Sequence, residues 1–275
     1  MARGRTDTVL TTRVEPGAAP VRRPDELIVE EPLAIHLDDT LVTTTMRTPG
    51  HDFELAAGFV FTEGLLAGVP VQTCRYCGTG SAVDTEFNVV SVETGGRAPV
   101  PTPRLGTTTS SCGLCGSTSI DELCDRLAPR SDPFAFDLDV LAGVPARMLG
   151  EQGLFAATGA VHGAAAFDPA GAPLVVREDV GRHNAVDKVI GRLLLDGRLP
   201  AGGLGLYVSG RASFEIVQNA WAAGFDAVVA VSAPTSLAVD TARRAGLLLA
   251  GFVRDGHMNI YAPERLEPNH PMAST

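Results

Sequence analysis

The chain has 275 residues and a formal net charge of −10, which is room for one large domain or two moderate ones. That acidic balance excludes a general nucleic-acid binder, whose phosphate contacts need a positive field, and no apolar run reaches the roughly 18 to 20 residues of a membrane-spanning helix. Met1–Arg23 has neither the apolar segment nor the cleavage site of a secretory signal, so a cytoplasmic protein without membrane or nucleic-acid partners is expected.

Residues 1–24 are polar, contain proline and show no sustained periodicity, which predicts a flexible N-terminal arm. From Leu27 to Met46 short β-prone runs appear, with Asp38-Asp39 as the turn between Leu33-Ala34-Ile35 and Leu41-Val42. Thr48-Pro49-Gly50 breaks the chain. Asp52 is placed to cap a helix through about Glu63, with Phe53, Ala56, Ala57 and Val60 on one face and Gly64 at its end. Phe87 to Val92 reads as a further strand, so residues 25–105 form a small α+β domain.

Residues 94–111 are rich in Gly, Pro and Thr and lead into Ser110-Ser111-Cys112-Gly113-Leu114-Cys115-Gly116. Two thiols two residues apart, flanked by glycine and with almost no apolar neighbours, belong on a loop that water reaches. There a thiol ionises more readily, and the thiolate is the form that attacks sulfur or binds metal. A short helix is expected over Ser119 to Leu127, with Cys124 a small core residue on it. The five cysteines are an odd number and two pairs have C-x-x-C spacing, so free thiols are expected rather than a disulfide scaffold. Cys74 and Cys77 would complete a four-thiolate zinc site with Cys112 and Cys115, although the separation of the two knuckles is longer than zinc ribbons use.

The second half is more regular. Strands at Leu204–Val208, Ala227–Val231 and Leu247–Val253 alternate with helices at Phe214–Ala223 and Thr235–Ala245, a pattern of βαβ units whose sheet is covered on both faces. Its turns fall at strand C-terminal ends, where open α/β sheets bind ligands. Those turns carry Ser209-Gly210-Arg211, Ser232-Ala233-Pro234-Thr235 and Arg254-Asp255-Gly256-His257. Arg211 and Arg254 would make charge-assisted contacts to phosphate, or Ser213 merely caps a helix and the arginines are solvated. The polar run Glu178 to Lys188 flows into an amphipathic helix with Asn184 as N-cap and Asp187 three residues on. Arg182 and His183 then lie beside a positive helix end, a second anion-binding element, or the charges serve capping and solubility alone. His162, after Thr158-Gly159-Ala160-Val161, is either a satisfied strand histidine or a functional one.

Taken together, Glu31-Pro32-Leu33, Met46 to Gly50, Gly58-Phe59, Thr62-Glu63-Gly64, Ser111 to Gly116, Thr158-Gly159 with His162, Glu178 to Lys188, Ser209-Gly210-Arg211 and Gly251 to Arg254 resemble the formate dehydrogenase accessory sulfurtransferase family, from about Glu30 to Tyr261. The resemblance implies an α/β fold, with a cytidine-deaminase-like α/β/α domain over residues 106–275 that carries the C-x-x-C loop at its start. It implies a persulfide carrier that accepts sulfur from a cysteine desulfurase on Cys112 and Cys115. The recipient would be the Mo-bis(molybdopterin guanine dinucleotide) cofactor of a formate dehydrogenase catalytic subunit, and a homodimer without a permanent metal is implied. The cofactor-binding stretch aligns with Phe252, Val253, Arg254, Asp255, Gly256 and His257, here less basic than the family pattern. Ser209, Gly210, Arg211, Arg182, His183 and His162 join it as candidate cofactor contacts.

Two rivals are weighed against this. A zinc deaminase needs a His-x-Glu or Cys-x-Glu pair and a proline before the first cysteine; His162-Gly163-Ala164 lacks the carboxylate and Ser111 precedes Cys112. A zinc-stabilised nucleotide-binding module would use all four paired thiols and transfer no sulfur.

Overall fold

The computed structural model describes residues 4–76, 82–83, 85–101, 127–130 and 134–266. The helix expected over residues 119–127 and the cysteines Cys77, Cys112, Cys115 and Cys124 fall wholly or largely outside these residues.

Where a flexible arm is expected, the strands β1 (Thr6–Arg13) and β2 (Val21–Ile28) pair as an antiparallel ribbon. Both faces of the ribbon are largely exposed, so its sequence carries no alternation of apolar and polar residues to announce it. Next come β3 (Glu31–Leu37) and β4 (Thr40–Arg47), joined at Asp38 and Asp39, both in the left-handed region with φ of 45° and 66°. Two positive φ values suit the twist of a tight hairpin. With β5 (Thr73–Tyr76) and β6 (Val89–Glu93) they form a four-stranded sheet in the order β4-β3-β6-β5. Helix α1 (Asp52–Thr62) lies on it, and Leu33, Ile35, Val90, Leu55 and Val60 make the core between them.

The larger sheet has six strands in the order β12-β11-β10-β9-β7-β8. Its members are β7 (His162–Phe167), β8 (Pro173–Asp179), β9 (Gly205–Val208), β10 (Ala227–Ala230), β11 (Leu248–Arg254) and β12 (His257–Ala262). As expected, β9, β10 and β11 run parallel; β7 runs antiparallel to both of its neighbours, and β12 folds back on β11. Successive strand residues feed opposite cores. Ala164, Ala166, Leu206, Val208 and Val228 face the helices α4 (Arg182–Leu195), α5 (Phe214–Ala223) and α6 (Ser236–Ala245). Ala165, Phe167, Tyr207, Val229 and Leu248 face α2 (Leu138–Gly150). Both faces are therefore covered, which is why these strands read as continuous apolar runs.

The two sheets are joined by α1 crossing α4 at very close range. A Cβ on Gly58 would stand 1.9 Å from the Asp187 carbonyl oxygen, and one on Gly191 would stand 1.8 Å from that of Glu54. Only glycine permits this approach. Across the same seam Arg177 makes a two-pronged ion pair with Glu54.

Two expected caps differ from what forms. Asp52 is the first residue of α1 rather than its cap, because Arg47, 1% exposed, holds both its carboxylate oxygens at 3.0 and 3.2 Å. Asn184 is likewise inside α4, which begins two residues earlier with Gly181 as N-cap. Its side chain bonds the Met46 carbonyl and Asp179 instead, so tertiary partners outbid local capping.

Candidate anion cradle on the sheet edge

The C-terminal ends of β8, β9, β10 and β11 share one edge of the large sheet, and antiparallel β7 begins there. Short helix α3 (Gly153–Thr158) ends at Gly159 in the left-handed conformation, whose N–H bonds the Phe155 carbonyl at 2.7 Å. That turn aims the chain into β7 and sets His162 opposite Asp179 of β8. The start of α3 is fixed by Glu178, whose carboxylate accepts from the amides of Leu154 and Phe155 at 3.0 and 2.8 Å.

Asp179, fully buried, is the hub that shapes the chain leading into α4. One carboxylate oxygen accepts from the Gly181 amide at 2.8 Å and from Asn184 at 3.0 Å. The other accepts from the Thr48 amide at 3.1 Å and pairs with Lys188 at 2.6 Å. Lys188, also fully buried, donates to the Thr48 carbonyl at 3.0 Å, and its pKa is lowered by burial against the opposing pull of Asp179. The hydroxyl of Thr48 accepts from the Val180 amide at 3.1 Å. Thr48 thus ties the small sheet to the start of α4.

On this base Arg182 and His183 open α4 at the positive end of its dipole. A Cβ on Gly210 would lie 3.5 Å from the His162 ring and 4.0 Å from the Arg182 side chain. The glycine therefore leaves room for about one methyl group between the His162 ring and the aliphatic part of the Arg182 side chain. His162 is held below its ordinary pKa first by burial and then by the charges of Arg182 and His183, with Asp179 opposing. His183 Nε2 lies 3.2 Å from Ser213 Oγ, the residue before α5, and 3.0 Å from Glu215. The hydrogen bond from His183 holds the Glu215 carboxyl below its usual range. Arg182 Nε and His183 Nδ1 are buried without a hydrogen-bond partner. An unmet buried donor such as Arg182 Nε calls for an acceptor.

The structure thus brings together His162, Gly210, Arg182 and His183, and adds Ser213 and Glu215 beneath them. Ser209 plays a framing part: its hydroxyl accepts from the Gly163 amide at 2.9 Å and its own amide donates to Gly163. Arg211 is exposed beside the cradle. The Ser232 amide donates to the Gly210 carbonyl at 3.3 Å, and the Phe252 amide to the Ser232 carbonyl at 3.2 Å. Two strand spacings, about 10 Å, separate Gly210 from Phe252. Phe252, with φ of 54°, marks the bulge between β11 and β12, and Asp255-Gly256, with φ of 52° and 75°, is the tight turn joining them. Phe252, Arg254, Asp255 and His257, with Met258 and Asn259, line an open groove of about 400 Å³. Val253 faces the core and is fully buried, so its backbone alone is available to a ligand. Sequence reading missed Thr48 and Glu215, which act through residues distant in the chain. The only local signal was the placement of Thr48 in the Met46 to Gly50 motif.

The thiol pair Cys112 and Cys115 lies outside the described residues. Cys74 is part-buried on β5, and burial with the nearby Glu93 charge pushes its thiol up to about 11, so it stays protonated and a poor nucleophile. Among the described residues no cluster of three His, Cys, Asp or Glu side chains has the arrangement of a metal site, and no helix is long and apolar enough to cross a membrane.

Comparison with known proteins places this edge in context. The model of the FdhD/NarQ family matches residues 28–267. A protein of Nocardia farcinica named sulfur carrier protein FdhD is 49% identical over 250 residues, covering 89% of each chain. One of the same name from Streptomyces avermitilis is 46% identical over 263 residues, covering 92% of each. A crystal structure from Desulfotalea psychrophila, named as a formate dehydrogenase accessory protein, superimposes with a TM-score of 0.76 at 26% identity, covering 96% of this chain and 100% of that one.

Proposed function

The chain belongs to the FdhD/NarQ family, and from that premise we propose that it is a sulfur carrier serving a formate dehydrogenase. The donor is a cysteine desulfurase. The recipient is Mo-bis(molybdopterin guanine dinucleotide) destined for the catalytic subunit, and the carrier works as a homodimer. The observation that carries this reading is the near full-length similarity to proteins named as sulfur carriers.

The chemistry is a displacement at sulfur. A Cys112 thiolate attacks the outer sulfur of the donor persulfide; the donor S–S bond breaks, its thiolate leaves, and a persulfide forms on Cys112 with no net redox change. Release has two balanced routes. Cys115 can attack the inner sulfur of that persulfide, forming the Cys112–Cys115 disulfide and expelling hydrosulfide, so that two thiols are oxidised as one sulfane sulfur is reduced. Alternatively both thiols share the carrier role: the recipient supplies the electron pair that takes the outer sulfur, the S–S bond breaks, and the cysteine leaves as a thiolate.

The described residues bear on cofactor docking. The orphaned Arg182 Nε, beside a helix N-terminus, fits a phosphate acceptor. Gly210 admits it, and neutral His162 offers a ring N–H. The groove from Phe252 to Asn259 has an exposed ring suited to stacking on a purine. Incubation with cysteine and a cysteine desulfurase, read by intact mass, tests the carrier role: one added sulfur is expected on the parent and none on the Cys112→Ala/Cys115→Ala double variant. A double variant that gains sulfur like the parent would refute it.

A further inference from the structure

The N-terminal ribbon leaves its two edges in opposite conditions. The Val29 amide donates to the Arg5 carbonyl at 2.9 Å, and the register pairs Thr6 with Ile28 and Arg13 with Val21. Bonded pairs alternate along an antiparallel ladder. Residues 7, 9, 11 and 13 therefore spend their main-chain groups inside the ribbon, and residues 6, 8, 10 and 12 of β1 turn theirs outward. On β2 the outward set is residues 22, 24, 26 and 28. Position 24 is proline, so the β2 edge lacks its central donor, and Arg22 and Glu26 flank the gap. Proline and charge are the usual means of blunting an edge. The β1 edge has no such block: Thr6, Thr8, Leu10 and Thr12 are uncharged residues of good or adequate strand propensity, and among the described residues β1 pairs with β2 alone.

Leu10 is 64% exposed and Val14 67%, and a two-stranded ribbon with so much of both strands exposed is marginal in water. We propose that the β1 edge is where two copies of this chain join, β1 against β1 in antiparallel fashion, making a four-stranded sheet in the order β2-β1-β1-β2. The register centred on Leu10 fits. It sets Leu10 on its counterpart, Thr8 on Thr12 and Asp7 on Arg13 of the second copy. Every outward main-chain group from 6 to 14 then falls in a bonded pair. Leucine meets leucine, and each acid meets a base. A client segment of arbitrary sequence would gain the main-chain bonds but not the Asp7–Arg13 matches.

The inference rests on the homodimer of the preceding section and names its interface. The test is sedimentation equilibrium on the full chain at moderate salt. The parent is expected to be dimeric at low micromolar concentration. Leu10→Pro removes two intermolecular donors and no bond inside the ribbon, and is expected to weaken association on the order of tenfold or more. Asp7→Arg and Arg13→Asp, both at exposed positions, are each expected to weaken it alone, and mixing the two variants is expected to restore a heterodimer. Dimers undiminished in all three variants would place the interface elsewhere and overturn this inference, leaving the homodimer intact. A parent that stays monomeric would overturn both. A parent monomer that binds a client chain through β1 would assign the edge to that client. Sulfur loading of the same variants is expected to match the parent, so failure of the carrier reading shows separately.

Discussion

Asp179 ends β8 and Arg182 opens α4 three residues on, yet Asp179 spends both oxygens on four donors while Arg182 keeps a buried Nε with no acceptor. The two conditions divide the labour. A saturated hub fixes the path of the chain, and an unsaturated group on that path waits for a ligand. Loss of the hub should therefore cost stability, and loss of Arg182 should cost binding. That division can be attacked from both sides.

The largest effect is expected from Lys188→Ala. It leaves the Asp179 carboxylate buried without its cation, a loss of about 3 to 5 kcal/mol, read by chemical denaturation. A loss below about 1 kcal/mol would mean that the remaining three donors suffice. Next comes Gly191→Ala. Alanine is worth about 1 kcal/mol in a helix interior, but here its Cβ would meet the Glu54 carbonyl oxygen at 1.8 Å. Helices α1 and α4 must then separate, at a cost of about 1 to 3 kcal/mol net. Full stability in this variant would show that the two sheets are not held by this crossing.

Arg182→Ala sharpens the opposite side. It removes a charge-assisted contact from the cradle, and guanosine diphosphate binding is expected to fall by about 1.5 to 3 kcal/mol, roughly 10- to 150-fold. Stability should change by less than about 0.5 kcal/mol, because no satisfied bond is broken. A variant that unfolds early but binds normally would reverse the assignment.

How far the sequence foretold this arrangement depends on where each signal lies. The helix Phe214–Ala223 is observed with the bounds expected, and the three parallel strands follow closely, because burial on both faces writes uninterrupted apolar runs. The Asp38-Asp39 turn was legible from its chemistry. The β1–β2 ribbon was not, since exposure on both faces leaves no period to detect. Asp52 and Asn184 look like caps in one dimension, and their partners Arg47, Met46 and Asp179 become visible only when the chain closes. The cradle was legible in parts: Arg182, His183, His162 and Gly210 were each named from local chemistry, but their meeting depends on β7 running antiparallel to β9. A histidine at the start of one strand then stands beside the glycine that ends the next.

The smallest expected effect concerns Asp187, a carboxyl that belongs to neither side of the division. It is fully sequestered in the α1–α4 seam, where Thr62 donates to it at 3.1 Å. Burial raises its pKa well above the ordinary value of 3.8, the Thr62 hydrogen bond opposes this, and the Glu63 and Asp179 charges add to it. A group whose folded pKa is raised gives its full contribution below the unfolded value and loses it as pH climbs through the folded one. Glu54 behaves in the opposite sense. Its pKa is lowered to about 2 despite burial, chiefly by hydrogen bonds from Arg177 and His51, so its contribution fades only as pH falls below about 4.5 toward 2. Above pH 5 the two are therefore separable. Asp187→Asn keeps an acceptor for Thr62 and removes the ionisable proton, so it is expected to exceed the parent in stability at pH 7 by about 1 kcal/mol, with the gap narrowing toward pH 4. The parent-minus-variant difference cancels titration of the histidines, which both proteins share. A gap that stays constant from pH 4 to 8 would mean that Asp187 is paired rather than neutral, and would return it to the hub.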